Sequence, residues 1–188
     1  MASSIPRSRF PSGRPGPGEY ASYAREDVDA AQGDDAVGVL ARQRDEVLGF
    51  FAALDERAVE GLRYAPGKWT VKEVLGHMID DERIFLYRAL CLARGEPREL
   101  PGFDEKLYAE GADFETRPLA DLLVEYRLVR DASLAFFAGL PAAAWLRHGV
   151  VNGYPATVRG LAFHVAGHEL HHLRILHERY LPLPRTSQ

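Results

Sequence analysis

The chain carries a single cysteine, Cys91, in 188 residues. An intrachain disulfide framework is therefore excluded, and a reducing compartment fits. No apolar run approaches the ~20 residues of a membrane span, and residues 1–20 lack the apolar centre of a signal peptide. Basic side chains form no stripe interleaved with aromatics and the net charge is −4, so nucleic acid is not an expected partner. β-type alternation is scarce as well. A soluble, cytoplasmic protein of one domain is expected, with a core of useful size.

Residues 1–18 are rich in Pro, Gly, Ser and Arg, a composition too poor in apolar surface to order itself, and are expected to form a flexible arm. The remainder, 19–188, reads as helices. Val37, Leu40, Val47, Leu48, Phe51 and Leu54 recur at helical spacing, predicting a first helix from about Asp35 to Arg57. Thr70 and Glu73 form a capping-box pair opening a second helix, Val71 to about Ala93, with Trp69 read as part of a hydrophobic staple. Gly95 and Pro97 end it. A long connection, 96–117, follows with one short helix near Glu105 to Glu110, and connections of this length often line or cover a site. Pro118 opens a third helix marked by Leu122, Tyr126, Val129, Leu134 and Phe137. Trp145 to Pro155 reads as turn with at most a short extended piece. Thr157 caps a fourth helix running to about Tyr180. The expected class is all-α, a four-helix bundle with a long connection between its second and third helices.

Against that plain pattern, four of the seven histidines fall within nine residues, His164 to His172. On a helix, His168 and His172 lie one turn apart and ~40° around the axis, so both rings can reach one ion. The same residues spell H-E-x-x-H, in which two histidines hold zinc and the glutamate, here Glu169, acts as general base of a metalloprotease. That reading would need a third ligand from His177 or Glu178, on the same helix. A bound ion needs at least three protein ligands, and a bundle offers a better donor from a facing helix: His77, mid-way along the second.

Three segments together, Tyr64-Ala65-Pro66-Gly67-Lys68-Trp69-Thr70, Gly76-His77-Met78-Ile79-Asp80 and Ala166-Gly167-His168-Glu169-Leu170-His171-His172, resemble the DinB/YfiT-like superfamily. The likeness spans nearly the whole chain after about residue 17. It implies a four-helix bundle with a divalent metal on one histidine of the second helix and a His-x3-His pair of the fourth, hence His77, His168 and His172. It also implies a small-molecule substrate, a metal-dependent thiol S-transferase using a low-molecular-weight thiol or a metal-dependent hydrolase, and a homodimer. Many relatives continue the pair with Arg-Gly-Gln, where this chain has Leu173-Arg174-Ile175.

Imidazole suits several divalent ions, with zinc or nickel expected here. Candidate neighbours of the metal are Asp80 and Asp81, three and four residues after His77, and His164, on the face of His168. Tyr87, Arg88 and Arg174 are candidate pocket residues. His171 points ~60° away from His168 and Glu169 ~100° away, so both read as packing partners in a bundle, and Cys91 reads as a small core residue. The alternative to an enzyme is a metal-stabilised binding or stress-response module. An open coordination position facing a cavity walled by residues 96–117 would separate the two.

Overall fold

The computed structural model describes residues 12–181. Asp35 caps α2 (Ala36–Ala52), its carboxylate accepting from Val37 N–H, after a short α1 (Arg25–Ala30). The first predicted helix stops at Ala52 rather than Arg57, because Asp55 caps a separate turn, α3 (Glu56–Val59). In α4 (Val71–Arg94) the capping box is complete: Glu73 N–H donates to Thr70 Oγ1, and Thr70 N–H donates to Glu73 Oε2 at 2.6 Å. Gly95 ends it with φ 81°, the left-handed conformation glycine adopts without strain. The connection carries α5 (Glu105–Ala112), capped by Asp104. Then come α6 (Leu119–Ala138), a single turn α7 (Ala142–Trp145) and α8 (Val158–Ile175), which relaxes into a wider π turn over Leu176–Tyr180. Thr157 caps α8 through Gly160 N–H.

The long helices close a ring in which α4 packs on α8 and α6, and α2 packs on α6 and α8. Between α7 and α8 the expected turn is a two-stranded antiparallel hairpin, β1 (His148–Val151) and β2 (Tyr154–Thr157). Its two turn residues, Asn152 and Gly153, both have positive φ, as a two-residue hairpin demands. Leu100 joins the hairpin from the connection, bonding to Val150 and Asn152.

Residues 12–18 correct the expected arm. Ser12 is buried and its hydroxyl accepts from Ala36 N–H at 3.0 Å. Arg14 donates to the carbonyls of Val28, Ala31 and Gly33. The rest of the expected arm, residues 1–11, lies outside the described residues. No helix among those described is long and apolar enough to cross a membrane.

The apolar core is divided. One cluster holds Val37, Leu40, Phe85, Leu92, Phe137, Trp145 and Phe163, and the other holds Phe51, Leu75, Ile79, Phe114, Leu122, Tyr126 and Leu176. Between them each long helix contributes buried polar groups: Gln43 from α2, His77, Asp81 and Glu82 from α4, Arg130 and Ser133 from α6, and Glu169 from α8. This polar layer positions the candidate site.

Close approach of α1 to α8 depends on Gly167, beside His168. A Cβ there would stand 2.2 Å from the carbonyl oxygen of Asp27, so α1 must shift to admit it. Gly167→Ala is expected to cost ~1–3 kcal/mol, as overpacking does, which is roughly 2–10 °C of Tm for a chain this size. An unchanged thermal melt would show that α1 yields freely.

Candidate metal centre

His77 sits in the second turn of α4 and His168 and His172 a turn apart on α8, the pair of helices packed most extensively together. Their rings converge. Nε2 of His168 lies 3.0 Å from Nε2 of His77 and 3.0 Å from Nε2 of His172, and the three ligand atoms fall within 4.8 Å of one another. One imidazole nitrogen offers either one proton or one lone pair, so His168 Nε2 cannot satisfy both neighbours by hydrogen bonding. A single cation on three lone pairs satisfies all of them. At a usual N–metal distance of ~2.1 Å, two 3.0 Å spacings correspond to roughly 90° between ligands, so the donor set fits a divalent ion.

Charge state agrees with ligation. Burial lowers the pKa of His77 to about 4 and that of His172 to about 3, the latter also disfavoured by the neighbouring His77 and His171. His168 is pushed well below its ordinary range by burial and by the adjacent rings. All three are neutral at pH 7, the form that binds metal. Asp81, one turn beyond His77, places Oδ2 3.3 Å from His168 Nδ1. That oxygen has no aligned hydrogen bond among the described residues. A proton on Nδ1 facing Asp81 leaves the Nε2 lone pair for an ion, the usual carboxylate–histidine support of a metal ligand.

The other candidates separate cleanly. Asp80, one residue and ~100° from Asp81, turns toward α6 and pairs with Arg83 at 3.4 Å. His164 is buried, stacked on Phe85, with its ring 6.3 Å from that of His168. Tyr87 is 58% exposed and Arg174 is exposed, and neither lines a cavity beside the histidines. His171 pairs with Asp27 at 3.2 Å. Glu169 is withdrawn altogether: its carboxylate takes the Arg130 guanidinium at 2.8 Å and the Tyr126 hydroxyl at 2.6 Å. It cannot serve as the general base of an H-E-x-x-H protease.

His172 also faces a cavity of about 510 Å³. Glu105, Lys106 and Glu110 of α5 line it from the long connection, and Arg63, Lys68, Trp69, Tyr64 and Tyr180 line it from the segment before α4 and the end of α8. Trp69 is more than a staple, because its ring lies 4.6 Å from that of His77. The Tyr180 hydroxyl donates to Trp69 O at 2.6 Å and fixes that wall. A broader hollow of about 590 Å³ beside Phe103 and Asn152 is lined by none of the three histidines.

The pH dependence of the metal-free protein follows from these shifts. For His77, His164, His168 and His172 the folded pKa lies below the ordinary 6.5. Their contribution is complete above about pH 6.5 and is lost as pH falls toward 4. Burial raises Asp81 from 3.8 to about 8, so its contribution has the opposite sign and is lost as pH rises to 8. Four imidazoles outweigh one carboxyl. In chelator, Tm is expected to fall steeply on acidification below pH 6.5 and to fall gently as pH rises from 6.5 to 8, and a Tm that climbs steadily with acid would contradict the assignment.

A family model described as the DinB superfamily matches residues 40–176 of the chain. No curated protein matches it. Among solved structures, the fold is similar to that of YfiT from Bacillus subtilis, with a TM-score of 0.64 at 16% identity, covering 85% of this chain and 86% of that one. That protein is described as a probable metal-dependent hydrolase with an unusual four-helix bundle topology.

Proposed function

The chain belongs to the DinB superfamily, and from that premise we propose that it is a metal-dependent enzyme acting on a small molecule, with His77, His168 and His172 holding a divalent ion, zinc or nickel. One observation carries the reading. The converging Nε2 atoms stand beside a cavity that His172 itself lines and that the long connection walls. A cavity that reaches the ligand set gives a substrate access to the ion, which a site sealed by its protein ligands would not.

When bound, the ion supplies Lewis acidity that lowers the pKa of a water or thiol toward neutrality. The protein's own residues do the rest. Asp81 holds the His168 ring in the tautomer that leaves Nε2 free. Trp69 and Tyr64 offer apolar faces to the substrate, while Lys68, Lys106 and Arg63 can meet negative charge and Glu105 and Glu110 positive charge at the same wall. The reaction is transfer of a low-molecular-weight thiol to an electrophile, or hydrolysis.

Protein purified without an affinity tag and subjected to elemental analysis is expected to hold about one divalent ion per chain. The loaded and chelated forms, assayed against model electrophiles with and without a panel of thiols, separate the two reactions. Thiol-dependent turnover supports the transferase and thiol-independent turnover the hydrolase. Full loading with no turnover in either arm favours the non-catalytic module.

A further inference from the structure

Three cations are buried in the described structure: Lys72, Arg88 and Arg130. Lys72 Nζ is 2.9 Å from Glu56 Oε1, and Arg130 is paired with Glu82 and Glu169. Arg88, only 5% exposed, has no carboxylate at ion-pair distance among the described residues. The segments outside them, 1–11 and 182–188, contain neither Asp nor Glu. Its hydrogen bond is from Nη2 to Pro101 O at 2.8 Å, and its guanidinium carbon stands 4.9 Å from the Phe85 ring centroid and 5.6 Å from that of Phe103. A carbonyl and two ring faces stabilise a cation without supplying a counter-charge. Arginine cannot escape by losing its proton, and buried charges in folded proteins are paired. Asp81, on the same face of α4, is engaged with His168. Asp81 favours the Arg88 charge only through space, so among the described residues Arg88 lacks a directly bonded anion.

The space for one is present. Arg88 and His164 share the wall of a narrow cleft of about 20 Å³, on the side of His168 away from the His172 cavity. The His164 ring stacks on Phe85 with centroids 4.3 Å apart. The outer wall is the ring of Tyr23, 64% exposed and packed edge-on against Tyr154, with no side-chain hydrogen bond among the described residues to break if it swings outward. The cleft is scarcely larger than a water molecule, and it is flanked by flat rings. A planar carboxylate matches both that shape and the two-pronged guanidinium, whereas a tetrahedral phosphate is bulkier.

We infer that Arg88 and His164 form a carboxylate-binding site, separate from the cavity that His172 lines, for a small carboxylic acid. The site does not rest on the metal-dependent reading.

The test is calorimetric titration of the chelator-treated full-length chain with acetate and, separately, with inorganic phosphate at constant ionic strength. The expected result is saturable acetate binding in the parent, weakened on the order of tenfold or more in Arg88→Gln, with metal loading of that variant unchanged. Arg88→Lys, which keeps the charge but not the fork, is expected to weaken binding as well, and it decides the matter should Arg88→Gln fail to fold. Acetate binding indifferent to both substitutions, no saturable acetate binding in the parent, or phosphate bound more tightly than acetate overturns the inference. Acetate binding that survives in a chain unable to hold metal upholds the site and removes only the metal reading.

Discussion

Replacing His168 by alanine is expected to abolish practical metal binding, with affinity for zinc or nickel falling by more than the ~10–100-fold that loss of an outer partner costs. His168 is the nitrogen common to both 3.0 Å spacings. Without it His77 and His172 remain as two donors on different helices, too few to hold an ion firmly. Asp81→Asn is expected to fall within the 10–100-fold range itself, since it removes the carboxylate facing His168 Nδ1 and leaves all three ligands. Competition with a chromophoric chelator measures both, and circular dichroism checks that the helices persist. Parent-like affinity in His168→Ala would falsify the centre. An Asp81→Asn loss as large as that of His168→Ala would make Asp81 a ligand in its own right.

The part of the site visible in the sequence was set by local periodicity. His168 and His172 share a helix face because of their four-residue spacing, and Glu169 leaves it because one residue turns the helix ~100°. The same rotation separates Asp81 from Asp80, yet nothing in the sequence says which of two adjacent aspartates faces the neighbouring helix. That depends on how α4 is rotated against α8. Groups held by long-range packing were harder to see. Arg130, 1% exposed, carries no local mark along α6 that separates it from a solvated charge, and Arg88, though a candidate pocket residue, gives no local sign that it is buried without a bonded carboxylate. The hairpin carried a local sign in Asn152-Gly153, but its strands are only four residues long and too short for alternation to emerge. Residues 12–18 lack apolar surface and were expected to stay loose. Arg14 holds them instead through carbonyls around the end of α1, a polar anchorage that composition does not report.

Arg130→Met is expected to be the most damaging substitution to the fold, costing ~3–5 kcal/mol, because removing one partner of a buried ion cluster strands the others. Glu82 and Glu169 both lie in the polar layer, each bound to Arg130 at 2.8 Å, and Arg130 also donates to Leu40 O at 3.0 Å. Three of the four long helices meet in the ion cluster, and the fourth, α2, joins through that carbonyl. Burial already pushes Glu169 upward despite the opposing guanidinium. Without the guanidinium Glu169 should rise further, so the deficit relative to the parent should shrink as pH falls below about 5 and widen above it. Urea melts of Arg130→Met at pH 4.5 and 7.5 measure the sign, and a deficit independent of pH would mean that lost packing alone is responsible. Replacing Glu82, Arg130 and Glu169 together by Leu, Met and Leu should recover most of the stability, as apolar replacement of buried ion clusters does. Metal affinity of that triple variant then becomes informative, since Glu169 adjoins His168 on α8 and Glu82 adjoins Asp81 on α4. Recovered stability with weakened metal binding would mean that the ion cluster holds α4 and α8 in the register that brings His77 to His168, a role that burial energy alone cannot supply.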